Sequence, residues 1–144
     1  MNNPYDLTRF VDAQHAVYPR VIEELSQGRK RSHWMWFIFP QITGLGFSAM
    51  AQRFAIGSRD EATAYLAHHI LGPRLIECTR LVLAVEGRTI HDVLGSPDDM
   101  KFRSSMTLFA AVSDNAIFDE AVTKYYPAGK DPTTLEILAK LDRN

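Results

Sequence analysis

Both tryptophans of the chain and two of its eight phenylalanines fall within His33 to Gln41, which reads His-Trp-Met-Trp-Phe-Ile-Phe-Pro-Gln. No other stretch restricts the fold as strongly. Each such ring covers about 150–250 Å², and at about 25 cal/mol/Å² the burial of four is worth at most roughly 20 kcal/mol. A segment of this kind must end in a core or in a ligand cleft. Its aromatics and Ile38 favour a strand, but both faces are apolar, so periodicity does not decide. Nothing else in the sequence alternates cleanly enough to pair with it, and a lone buried strand leaves its backbone groups without partners. The segment is therefore read as a short, wholly buried helix with Ser32 as N-cap, stopped by Pro40.

The remaining punctuation is helical. Asp6 is a possible cap for a helix from Leu7 to about His15. Pro19 suits a first turn, and Gly28 closes that helix as a C′ residue. Ser58-Arg59-Asp60-Glu61 fits a capping box. Gly72-Pro73 opens a longer helix whose Leu75, Cys78, Val82 and Val85 follow one 3.6-residue face and which ends at Gly87. Thr89 caps a short helix ending at Gly95. Ser96-Pro97-Asp98-Asp99 offers a cap, a proline at N1 and two acids beside the positive helix end. Asp114 or Asn115 begins another helix, and Asp131-Pro132 the last. The expectation is an all-α fold, one compact domain over residues 1–144, with about seven or eight short helices.

Composition fits that expectation. Hydrophobic residues make up 46% and charged residues 23%, which are globular values. The formal net charge of −1 gives no general footprint for nucleic acid. A single cysteine excludes an internal disulfide and a Cys-rich zinc site, and the five histidines lack metal-binding spacing. The N-terminus Met1-Asn2-Asn3-Pro4-Tyr5-Asp6 lacks the pattern of a signal peptide, and no apolar run approaches a membrane span. A cytoplasmic protein without metal or cofactor is expected.

Polar candidates flank the aromatic run. Arg29-Lys30-Arg31 could receive a phosphate or carboxylate, or simply keep an apolar segment in solution. Trp34 and Trp36, at i and i+2, point about 200° apart on a helix, so at most one readily faces a given cleft. The pair is read mainly as core, with one indole available to line a pocket edge. Gln41 to Ser48 resembles a glycine loop, but it lacks a third glycine and a Walker lysine. It reads best as a tight turn with Ser48 capping the next helix. In the later stretch Asp99 to Thr107, Lys101, Ser104 and Ser105 share one helix side, and Arg103 and Thr107 another. Lys101 and Ser104 could grip one anion, or the stretch could be a buried structural network. Cys78 lies on an apolar face and reads as an inert core thiol.

The string Gly28 to Gln41, with Gly44-Leu45-Gly46 and Ser48, resembles the signature of the domain of unknown function 1810 family. Glu61-Ala62 with Tyr65-Leu66, Leu71-Gly72 with Arg74-Leu75, and Lys101 to Phe109 agree with it, so the likeness spans about Leu7 to Leu138. The resemblance implies a small, mostly bacterial, predominantly helical protein. Some members carry the label calpastatin. That label implies a disordered calpain inhibitor, which a well-capped apolar chain does not resemble. No established activity comes with the family.

The resemblance stresses the same two polar-aromatic segments that composition selects. The expectation is that they converge on one cationic-aromatic cleft for a phosphate-bearing or nucleotide-like molecule. Lys30, Arg31, Lys101 and Arg103 would neutralise the anion, with Gln41 and Ser104 beside them. Trp34 or Trp36 would stack on a ring. His33 would be the general acid or base if there is chemistry, and whether there is any stays open. The rival expectation is a protein-interaction module without a small ligand. Nucleic-acid binding through Arg29-Lys30-Arg31 is disfavoured by the neutral overall charge.

Overall fold

Most of the capping signals act as the sequence implies. In the computed structural model, which describes residues 5–143, ten helices follow one another. Met1–Pro4, part of the segment read for a leader, lie outside the described residues, as does Asn144. The helices are α1 (Thr8–His15), α2 (Tyr18–Ser26), α3 (Met35–Ile38), α4 (Ala49–Arg53), α5 (Arg59–Ala67), α6 (Leu71–Ala84), α7 (Ile90–Leu94), α8 (Asp98–Val112), α9 (Ile117–Tyr125) and α10 (Pro132–Asp142). The count exceeds the expected seven or eight because α3, α4 and α7 are only four or five residues long. The fold is all-α. Among the described residues the sole extended pairing is a parallel bridge between Ile42 and Ile56.

Ser48, Ser58 and Asp131 cap their helices by accepting a backbone N–H with their side chains, and Thr89 forms a full capping box with Asp92. Several boundaries differ from expectation. Helix α6, read to end at Gly87, stops at Ala84 with Val85 extended, and the box read at Ser58 is incomplete because Glu61 Oε1 accepts the Gly57 N–H instead. Asp6 is not a cap; it takes a positive φ of 49°, and α1 begins after Leu7. Ser32 does not cap α3. Its hydroxyl donates to Glu24 instead, and Trp34 stands at the N-cap without a side-chain bond. Pro97 itself occupies the N-cap of α8, one residue later than read. At α9 the N-cap is Ala116, one residue after Asn115, whose Oδ1 accepts the Ile117 N–H at 3.0 Å.

Helix α8 runs through the middle and packs against α5, α7, α9 and α10, while α6 packs on α2, α5 and α9. Aromatic side chains link these layers. Phe10 meets Tyr65 edge-on at 5.1 Å, Tyr65 lies 5.5 Å from Phe109, and Phe109 lies 5.8 Å from Phe118. A second branch runs from Trp34 to Phe39 to Phe102. Such pairs add to the area they bury. Gly72 lets α6 close on α5, because a Cβ there would sit 2.1 Å from the carbonyl oxygen of Leu66. Cys78 is fully buried, and burial pushes its thiol up to about 12, so it is inert at neutral pH. No helix of the described residues is long and apolar enough to cross a membrane.

Two polar staples place the loops. Arg9 donates to the carbonyls of Tyr5, Asp6, Arg53 and Ala55 and pairs with Glu61 at 2.9 Å. It thereby ties α1 to the segment joining α4 and α5. Glu24, only 4% exposed, holds the chain entering the aromatic run. Its carboxylate accepts the backbone N–H groups of Arg31 and Ser32, the Ser32 hydroxyl and the Trp34 indole N–H.

Candidate functional site

The aromatic run divides its two indoles between core and surface. Trp34 is 1% exposed, packed on Phe39 and bonded to Glu24. Trp36 is half-buried and lines a hollow of about 290 Å³ with Gln41, Ile42, Thr43, Gly44 and Gln52. Trp34 stands at the N-cap of α3 and Trp36 within it, so the run is not wholly buried as the sequence implied.

A second hollow, of about 400 Å³, adjoins the first and shares Gln41, Gly46 and Ala51 with it. Its other walls are Phe47 and Ser48 from the glycine loop, Pro97, Met100, Lys101 and Ser104 from the start of α8, and Asp131 and Thr133 from the start of α10. The glycine loop is rigidly seated. A Cβ on Gly46 would lie 2.6 Å from that of Ala51, so only glycine allows this approach. Gln52 donates to the Phe47 carbonyl at 2.9 Å, and the Ile42–Ile56 bridge anchors the base of the loop.

Three charges meet beside the second hollow. Lys30 Nζ lies 2.8 Å from Asp98 Oδ2, while Lys101 Nζ lies 3.7 Å from Asp98 Oδ1. The Lys30 side chain is 8% exposed and Lys101 23% exposed. Each ammonium also lies over an indole, Lys30 at 5.1 Å from Trp34 and Lys101 at 5.2 Å from Trp36. One carboxylate serves two ammonium groups, and Lys30 takes the short contact. Lys101 is therefore the more loosely paired and more exposed of the two, at the wall of the hollow.

Two further polar groups face no protein partner among the described residues: the side-chain amide of Gln41 and the Oδ1 oxygen of Asp131. Asp131 Oδ2, in contrast, accepts from Ser104 Oγ, the Thr134 backbone N–H and Thr134 Oγ1. The groove thus offers one cation, one amide and one free carboxylate oxygen.

The other sequence candidates lie elsewhere. Arg103 shares α8 with Lys101 but projects to another side, as the spacing implied. Its guanidinium donates to the carbonyls of Gly129 at 2.7 Å and Lys130 at 3.0 Å, so it braces the turn before α10. Arg31 and His33 are exposed and line neither hollow, because Glu24 holds the backbone here with Trp34 turned inward. A single cleft containing all nine candidates is therefore corrected to a smaller set, Trp36, Gln41, Lys101 and Ser104, with Lys30 behind them. Trp34 belongs to the core. Asp98, Asp131, Phe47 and Met100 were missed. The two acids read as helix-start residues, which they also are. An aromatic between a glycine and a capping serine was the available signal for Phe47.

The family model described as "Protein of unknown function (DUF1810)" matches residues 4–138. The chain belongs to this family. A DUF1810 chain of this sequence is also similar to a solved structure, the conserved hypothetical protein Rv1873 from Mycobacterium tuberculosis, at 56% identity and a TM-score of 0.94. That likeness covers 95% of this chain and 99% of the other. No curated protein matches the sequence. Neither the DUF1810 description nor the neighbour's name carries an activity, so the functional reading rests on the groove.

Proposed function

We propose that the protein binds a small phosphate-bearing or nucleotide-like molecule in the groove between the glycine loop and the starts of α8 and α10. The observation that carries this reading is the unequal sharing of Asp98. Lys30 takes the short contact at 2.8 Å, and Lys101 stands at the groove wall, held by the same carboxylate only at 3.7 Å. A partly desolvated ammonium beside an unpaired amide is a site for an anionic oxygen. Trp36 adds a ring face next to it.

Thermal shift with a panel of inorganic phosphate, sugar phosphates and nucleotides tests the reading. A ligand at 100 times its Kd stabilises by about 2.7 kcal/mol, a shift of a few degrees in Tm for a domain of this size. Lys101→Ala should weaken binding at least about tenfold, the scale of one charge-assisted hydrogen bond. Arg103→Ala should lower the baseline Tm and leave the ligand-induced shift intact. No shift with any member at millimolar concentration, or equal loss in both variants, overturns the proposal.

A further inference from the structure

Phe47 is 84% exposed and Met100 is 49% exposed, the two most exposed large apolar side chains of the described residues. Both line the same hollow, and Lys101 and Asp131 stand in the same wall. Phe47 is not loose. Its neighbour Gly46 is pressed against Ala51, its carbonyl is held by Gln52, and Ser48 caps α4 directly after it. A fixed backbone therefore presents a bare aromatic ring at the mouth of a cavity. The fold gains little from this, since the ring is left in water.

We propose that Phe47 and Met100 form a jaw for a planar ring, and that the ligand is a nucleoside monophosphate. This rests on the reading of the groove as an anion site and adds the class of anion. The base would lie against Phe47 with Met100 on its other side, because stacking on an aromatic face tolerates any base. The free Oδ1 of Asp131 accepts hydroxyl donors, which suits a ribose, while Ser104 is already committed to Asp131 Oδ2. Lys101 is the only cation lining the hollow among the described residues, paired loosely with Asp98 at 3.7 Å, and Asp131 stands in the same wall. One phosphate is partly neutralised there. A second or third would meet a carboxylate instead of a cation, so the groove selects against di- and triphosphates.

Calorimetric titration with AMP, ADP, ribose 5-phosphate and inorganic phosphate tests the proposal on wild type and on Phe47→Ala. The exposed position makes that variant safe for folding, which its Tm will verify. AMP should bind at least about tenfold tighter than ribose 5-phosphate and tighter than ADP. Phe47→Ala should bring AMP to the level of ribose 5-phosphate and leave the two ring-free ligands unchanged. Equal binding of AMP and ribose 5-phosphate, tighter binding of ADP, or an unaltered AMP preference in Phe47→Ala overturns the jaw or its ligand and leaves the anion site standing. Failure of all four ligands to bind overturns both.

Discussion

A single carboxylate decides the conformation of the aromatic run. Burial alone would raise the Glu24 carboxyl, but hydrogen bonds from Ser32, the Arg31 and Ser32 backbone and the Trp34 indole outweigh it and hold the group at about 2. In the unfolded chain a glutamate titrates near about 4.3. The folded value is depressed, so its contribution is fully present above about pH 4.3 and is lost as pH falls towards the folded value. The difference is worth about 3 kcal/mol at neutral pH. Urea unfolding of Glu24→Ala should show a loss of this order or more at pH 7, because four donors lose their acceptor. The gap to wild type should narrow below pH 4. A gap that stays constant down to pH 3 would show that the carboxylate charge plays no part. The role of Glu24 was not legible in the sequence, where it is one of two adjacent acids on an amphipathic helix. Its meaning comes from Arg31, Ser32 and Trp34 folding back over it.

At the scale of elements, the start of α6 shows how a cap can titrate. His68 Nδ1 accepts the backbone N–H groups of Ile70 at 3.1 Å and Leu71 at 3.3 Å. This requires the neutral ring. Burial lowers its pKa, and the stacked His69 ring, 4.8 Å away, lowers it further. The cap is thus intact above the unfolded value of about 6.5 and is lost as pH falls through the lower folded value. His68→Asn keeps a capping acceptor without the titration. Its Tm should fall less than that of wild type between pH 7 and pH 5, by the degree or few that a cap of about 1 kcal/mol represents. Parallel Tm curves would refute the cap. Helices were the most legible level. Ser48, Ser58, Thr89 and Asp131 announce their own helix starts through local chemistry. Asp6 and Ser32 carry the same chemistry and fail as caps, because other contacts claim their surroundings: Arg9 gathers the carbonyls around Asp6, and Glu24 takes the Ser32 hydroxyl.

For the whole molecule, stability concentrates on α8. Phe109 is fully buried and touches Tyr65 on α5 and Phe118 on α9, so one side chain joins three layers. Phe109→Ala should cost about 3–5 kcal/mol, a large share of the 5–15 kcal/mol typical of a domain. Chemical denaturation should show this as a lower midpoint at unchanged slope. A loss under about 1 kcal/mol would mean the surrounding layers close the cavity without help. The groove was only half legible at this scale. Lys101, Ser104, Gln41 and Trp36 stand out as polar or amphipathic residues beside apolar ones. Arg103 and His33 stand out equally and face elsewhere, since sequence spacing gives a side of a helix but not what lies opposite. Asp98 and Asp131 were hidden by having a second occupation at helix starts.

The glycine loop has one more consequence, and it concerns variation. Gly46 cannot change without moving Ala51, Gly44 has a φ of 97° that favours glycine, and Ser48 and Gln52 each hold a backbone group. Phe47, by contrast, is largely in water and Met100 about half so, and they carry little of the fold. Mutational drift in such a design is free at the two positions that would choose the ligand and closed at the positions that shape the cavity. Relatives with this frame can therefore vary at the mouth of the groove without rebuilding the protein beneath it.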